Sequence, residues 1–277
     1  MKKFIKTFKS LLMLLLIIAL STGCSNNKSS EQPNMDNSSE TEGAADNKNE
    51  KSTLILGLDD TFAPMGFRDE KGELVGFDID LAKEASKRMG VDIKFQPIEW
   101  SMKETELDNG NIDFIWNGFS ITEERKEKVA FTKPYLENSQ LIITLADSKI
   151  NSKADLKGAA VAVQAESSAL DAVNNEPDVT STFKDLVEFS TNNEAFNDLE
   201  SGRSDAIVVD GVLARYYMKQ KDEKAYKVLE ENFGNEEYAV GLRKSDTELL
   251  GKLNAALDEI KKDGTYDKIY SKWFSEN

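Results

Sequence analysis

Apolar positions along this chain come in two spacings. Short runs such as TLILGL (53–58), VDIKFQPI (91–98), IDFIWNG (112–118), GAAVAVQA (158–165) and SDAIVVD (204–210) are near-continuous or alternate, and read as strands. Between them, apolar residues recur every three or four positions. FDIDLAKEASKRMG (77–90) sets Ile79, Ala82, Ala85 and Met89 close to helical spacing, with Gly90 as its stop. NNEAFNDLESG (192–202) predicts a helix ended by Gly202, and SSALDAV (167–173) the start of another. DTELLGKLNAALDEIKKDG (246–264) predicts a long helix from an Asp246 N-cap, with Leu249, Leu250, Leu253, Leu257 and Ile260 on one stripe. Capping boxes are expected at Ser101–Glu104 and across SKAD (152–155). YDKIYSKWF (266–274) closes the pattern with an aromatic-rich amphipathic turn.

Strands alternating with helices imply an α/β fold of βα units with mainly parallel sheets. Two such clusters, 52–135 and 145–232, are each the size of a small lobe. Extended segments YLENSQLIIT (135–144) and EEYAVGL (236–242) follow them. If the last helices return to the first cluster, the chain crosses between lobes twice. The expected division is lobe 1 over 52–135 plus 241–277 and lobe 2 over 136–240, with hinge segments near 135–139 and 236–240. A cleft between two such lobes, beyond the carboxyl ends of the strands, is the natural ligand site.

The first 24 residues do not belong to this pattern. MKKFIKTFKS carries four lysines and no acid, LLMLLLIIAL is an unbroken apolar run, and STGC follows. That order is a secretion signal, too short for a membrane span of about 20 residues. LSTGC resembles the lipobox of bacterial lipoproteins, with Leu20 four rather than three residues before Cys24. Cys24 is the chain's single cysteine, so it has no internal disulfide partner and is placed for a lipid (palmitate-bearing) anchor. Residues 25–51 are rich in Ser, Asn and Glu with almost no large apolar side chains, and read as a disordered tether.

Charge and composition narrow the function. The formal net charge is −15, and loss of the leader with its four lysines makes it more negative. No basic face for a nucleic acid is expected. The chain has no histidine, which removes Ser-His-Asp and Cys-His catalysis and histidine-ligated zinc. No acidic cluster has EF-hand spacing, and no metal or cofactor is expected.

Three blocks, GLDDTFAPMGFRDEKGELVGFDIDLAKEASKRMG (57–90), WNGFSITEERKEKVAFTKPYL (116–136) and DLESGRSDAIVVD (198–210), carry a family resemblance. The chain resembles the polar amino-acid-binding lipoproteins of bacterial ABC importers, the extracellular solute-binding proteins of family 3. The likeness covers essentially all of 52–277. It implies a two-lobed periplasmic-binding-protein clamp with a two-segment hinge, closing on a free amino acid and delivering it to a membrane permease and its ATPase. It also implies a monomer, lipid-anchored at the extracellular face of the membrane, with no catalytic residue.

A zwitterion entering a cleft needs cationic or N–H donors for its carboxylate and acceptors for its ammonium. Taken alone, Arg125 inside EERKEK reads as a solvated helix charge, and Asp210 as a turn or N-cap residue. The resemblance assigns Arg125 to the carboxylate and Asp210 to the ammonium. It places Ser120 at the usual threonine position and the carbonyls of Asn117 and Gly118 toward the ammonium. Gln164, Ser167 and Ser168 fall in a turn into a helix whose N–H groups suit a carboxylate, with an N-cap as the plain alternative for the serines. Glu166 departs from the glycine usual there, and must point outward or meet a cation. Phe62 and Trp100 match aromatics that sandwich the ligand; core packing is the alternative. Asp59 matches an acid that meets an amide or cationic side-chain tip, which favours a polar or basic amino acid.

Two other functions fit the same architecture. One is a dehydratase-type enzyme, for which Glu166 is the unusual acid. The other is an amino-acid sensor serving no importer.

Overall fold

The computed structural model describes residues 53–275. The leader, Cys24 and the 25–51 tether lie outside the described residues.

Chain order explains how two lobes arise. Strand β1 (Thr53–Leu58) leads into a three-stranded antiparallel ribbon of β2 (Thr61–Phe62), β3 (Gly66–Arg68) and β4 (Leu74–Val75). Helix α1 (Phe77–Met89) follows, then β5 (Asp92–Pro97), α2 (Lys103–Asp108), β6 (Phe114–Ile115), α3 (Glu123–Lys128) and β7 (Ala130–Phe131). The second half runs β8 (Leu136–Leu145), β9 (Ala160–Gln164), α4 (Ser168–Asn174), α5 (Pro177–Thr180), β10 (Asp185–Phe189), α6 (Asn192–Glu200), β11 (Ala206–Asp210), α7 (Gly211–Gln220) and β12 (Tyr226–Tyr238). A short β13 (Gly241–Leu242), α8 (Thr247–Lys262) and α9 (Thr265–Phe274) complete it.

The first sheet has the order β5-β1-β6-β13-β7, and the second β10-β9-β11-β8-β12. The βαβ crossovers are parallel, as expected: β1 lies between β5 and β6, and β9 between β10 and β11. The strands that carry the chain between sheets are antiparallel, because they return rather than cross over. β8 runs against β11 and β12, and β13 against β6 and β7. The sheets are therefore mixed. Leu136 pairs with Tyr238, and the Tyr135 N–H donates to the Tyr238 carbonyl at 2.9 Å, so the two crossings run side by side.

Local chemistry accounts for most ends. Gly90 at φ 68 stops α1, its N–H reaching the Lys87 carbonyl. Thr191 and Glu194 form a capping box on α6, and Ser152 and Asp155 another at 152–155. On α8, Leu253, Ala256, Leu257 and Ile260 are buried, while Leu249 and Leu250 are partly so. Helices α8 and α9 pack on α1, with Phe77 against Tyr266 and Phe274.

Several local expectations do not hold. Ser101 sits in a 3-10 turn over Trp100–Met102 and caps nothing; Glu104 pairs instead with Lys103 at 3.2 Å. Asp246 occupies the N-cap position of α8 without a side-chain cap bond, its carboxylate drawn to Arg243 at 2.8 Å. The expected strand over 112–118 shrinks to Phe114–Ile115, because Asn117 and Gly118 turn away to build the cleft. The closing aromatic turn is a full helix, α9.

Candidate functional site

The cleft is built from strand ends. Asp59 follows β1, Asn117 and Gly118 follow β6, Gln164 ends β9 and Asp210 ends β11. All four strands belong to βα units, whose carboxyl ends gather where the sheets face each other. A small cavity of about 10 Å³ lies there, lined by Phe62, Trp100, Asn117, Gly118, Arg125, Gln164, Ser167, Ser168 and Asp210.

Arg125 is not a surface charge. Thr122 caps α3 by accepting from the Arg125 N–H at 3.1 Å, which turns the side chain inward and leaves it 3% exposed. Its guanidinium stacks 4.6 Å from the Phe119 ring. It donates to the carbonyls of Ser120 (3.1 Å) and Glu166 (3.3 Å). Among the described residues no carboxylate is in ion-pair contact with it. The neighbouring charges of the run are solvated: Lys126 pairs with Glu123 and Lys128 with Glu124 on the exposed face.

Asp210 is 4% exposed and is held by neutral donors only. Asn138 Nδ2 (2.7 Å), Gln140 Nε2 (3.1 Å) and the Tyr238 hydroxyl (2.6 Å) all donate to its Oδ1. Burial, and then the nearby Glu236 carboxylate, push its pKa well above the usual carboxylate range.

The Gly118 turn is fixed from beneath. Its φ is 55, and a Cβ there would lie 2.7 Å from Phe62 Cε1 and 3.2 Å from the Tyr238 ring, so only glycine fits. Its N–H donates to Asp78 Oδ2 at 2.7 Å, and the Tyr135 hydroxyl donates to the same oxygen at 3.0 Å. Asp78 is fully buried, and burial raises its pKa to about 7.

The remaining sequence candidates fall at the junction of the lobes. Gln164 donates to Asp59 Oδ2 at 2.9 Å, while Thr61 donates to Asp59 Oδ1 through both its N–H and its hydroxyl. Asp59 thus stands behind the cavity wall, its acidity weakened by burial. Ser120 shares a 3.0 Å hydroxyl contact with Ser168 across the cleft. Ser167 is used as the α4 cap, accepting from the Leu170 N–H at 3.1 Å and donating to the Gln164 carbonyl at 2.7 Å. Trp100 is 7% exposed and edge-on to Phe119. Glu166 lies exposed at φ 53, its side chain outward and its carbonyl toward the first lobe.

Four residues at this junction escape sequence reasoning. Lys103 is 1% exposed, 5.2 Å over the Trp100 ring, and donates to the Glu166 carbonyl at 2.8 Å. Burial and the Arg125 charge lower its amine to about 8. Asn138, Gln140 and Glu236 surround Asp210. A signal was present for the last three. Polar residues recur at period two on strands β8 (Asn138, Gln140) and β12 (Glu236, Tyr238), which places each pair on one face.

Comparison with known proteins gives the family and the fold. The profile of the bacterial extracellular solute-binding proteins, family 3, matches residues 54–276. The L-cystine-binding protein of Escherichia coli (strain K12) is 32% identical over 237 residues, covering 84% of this chain and 86% of that one. The ABC transporter glutamine-binding protein of Bacillus subtilis (strain 168) is 32% identical over 278 residues, covering 98% of each. A solved ABC uptake transporter substrate-binding protein from Streptococcus pneumoniae with bound histidine superposes with a TM-score of 0.78 at 39% identity, covering 81% of this chain and 93% of that one.

Proposed function

Because this chain belongs to the bacterial extracellular solute-binding proteins of family 3, we propose that it captures a free polar amino acid, basic ones included, and delivers it to an ABC importer. The observation that carries the reading is a buried guanidinium and a buried carboxyl group, neither with a counter-ion among the described residues. Arg125 has only carbonyl partners and Asp210 only neutral donors. An isolated buried charge costs several kcal/mol, so each end of the cavity favours a ligand of opposite sign. A zwitterion supplies both at once.

In this reading Arg125 takes the ligand carboxylate, aided by Ser120 and the Ser167–Ser168 turn. Asp210 takes the ammonium together with the Asn117 and Gly118 carbonyls. Phe62 and Trp100 bound the side chain, and Asp59 and Gln164 meet its polar tip once the ligand parts their hydrogen bond. Arg125 belongs to the first lobe and Asp210 to the second, so closure is favoured when a ligand bridges them. The cleft works by binding, with no residue assigned to a chemical step. The mature chain acts as a monomer at the extracellular face, anchored through lipidated Cys24, beside its permease and ATPase.

Mass spectrometry of the amino acid that co-purifies with the protein tests the ligand class. A polar or basic amino acid supports the proposal, and an acidic or aliphatic one rejects it. Loss of uptake on deletion separates an importer subunit from a sensor.

A further inference from the structure

The ammonium end of the cleft holds a second acid. Asp210 lies opposite Gln140 on β8, and Glu236 on β12 lies opposite Asn138 on the same strand. Both amides serve both acids. Asn138 Nδ2 donates to Asp210 Oδ1 at 2.7 Å and to Glu236 Oε1 at 2.7 Å. Gln140 Nε2 donates to the same two oxygens at 3.1 and 2.8 Å. Ser120 Oγ donates to Glu236 Oε1 at 2.6 Å, and Ser168 Oγ at 3.4 Å. Ser120 and Ser168 come from opposite lobes, so Glu236 sits where the lobes meet.

No cation satisfies this pair among the described residues. Every group bonded to it is a neutral amide or hydroxyl. The groove on one side of Glu236 also carries Glu137, Glu237 and Arg215, and the groove on the other side carries Glu123, Asp171 and Glu176. Arg215 is the single cation lining either groove, and its Nη1 donates to the Gly211 carbonyl at 3.2 Å. Meanwhile Gln140 Oε1 is buried without a partner, an acceptor left open on the amide that holds both acids. A buried carboxylate and a half-buried one that share the same donor atoms repel each other, and with no cation beside them the pair favours taking up one proton.

We infer that Glu236 is a second carboxylate of the ammonium subsite, and that in the empty cleft Asp210 and Glu236 hold one proton between them. The incoming ammonium replaces that proton. It donates to both carboxylates, and the proton leaves to solvent, so a zwitterion binds with release of one H⁺. The raised pKa of Asp210, caused by burial and by the Glu236 charge, is consistent with this exchange. Two consequences follow for specificity. Amino acids bind more tightly as pH rises through the range in which the pair would otherwise hold its proton. Analogues that lack the ammonium, such as 2-hydroxy acids and N-acetyl amino acids, bind more weakly and release no proton, because they leave the shared proton in place and make no charged bond to either carboxylate.

The inference rests on the reading of Asp210 given above, and the test separates the two. L-arginine, L-glutamine and L-histidine are titrated calorimetrically into the mature chain at pH 7.5, in phosphate and in Tris. The difference in heat between buffers counts protons. For whichever amino acid binds, wild type should release close to one proton. Glu236→Gln should release almost none and bind at least tenfold more weakly at pH 8. Buffer-independent heat in wild type, or unchanged release in Glu236→Gln, overturns the inference. If none of the three binds, the functional reading fails, and ¹³C-carboxyl NMR of the unliganded protein decides the shared proton. A coupled Asp/Glu titration that disappears in Glu236→Gln supports it, and independent, ordinary titrations reject it.

Discussion

The Lys103 ammonium donates to the backbone carbonyl of Glu166 at 2.8 Å, joining two residues 63 positions apart on opposite lobes. Arg125 donates to the same carbonyl at 3.3 Å, so two cations of the first lobe converge on one peptide oxygen of the second. The left-handed conformation of Glu166, φ 53, presents that oxygen. The lobes are thus held together at the Arg125 end of the cleft by bonds that need no ligand.

Lys103→Met keeps the apolar stem against Trp100 and removes the cross-lobe donor. A hydrogen bond to a charged group contributes about 1.5–3 kcal/mol. The variant should therefore favour the open form and lose roughly tenfold in amino-acid affinity. Small-angle scattering should show a larger radius of gyration without ligand, and wild-type dimensions on saturation. Unchanged dimensions and affinity would remove Lys103 from the closing machinery.

Glu166 itself is strained. An L residue in the left-handed region costs about 1–2 kcal/mol relative to glycine. Glycine returns part of this through its own chain entropy, about 0.5–1 kcal/mol. Glu166→Gly should raise the unfolding free energy by up to about 1 kcal/mol in urea, with the ligand affinity unchanged. A destabilised variant would show that the Glu166 side chain has a structural part its exposure hides.

Asp78 ties stability to pH. Burial raises its folded pKa to about 7, against an ordinary value of 3.8. The folded state therefore binds more protons than the unfolded state between those values, and stability falls as pH rises from about 4 to 7. The slope contributed by this group is at most about 1.4 kcal/mol per pH unit. Asp78→Asn keeps an acceptor for the Gly118 N–H and the Tyr135 hydroxyl, and should flatten that part of the curve. Chemical denaturation at pH 4.5, 6 and 7.5 measures the difference; parallel wild-type and variant profiles would rule out the assignment.

What the sequence made legible follows from range. Helix ends set by local bonds, such as Gly90 and the Ser152 and Thr191 boxes, are encoded within a few residues. βα order pointed to the carboxyl ends of the strands as the place of the cleft, but the choice of Asn117, Gly118, Gln164 and Asp210 there came from the family likeness. Arg125 looked solvated because its neighbours Lys126 and Lys128 are; only the family likeness pointed inward. Lys103 and Glu236 were missed because their partners lie 63 and up to 116 positions away. Nothing in spacing or composition announces a lysine buried against a distant carbonyl, and the period-two polar face of β12 does not say that Glu236 meets Asp210. The failed box at Ser101 has the same origin, since burial of Lys103 draws Glu104 away from it.

The account rests on one buried guanidinium and one buried carboxyl group, so calorimetric titration of an amino-acid panel into wild type, Arg125→Ala and Asp210→Ala tests it most directly. Wild type should bind one equivalent of a polar or basic amino acid. Each variant should retain its circular dichroism spectrum and lose at least 100-fold in affinity, about 2.7 kcal/mol. Wild-type affinity in either variant, or binding restricted to acidic or aliphatic amino acids, would contradict it.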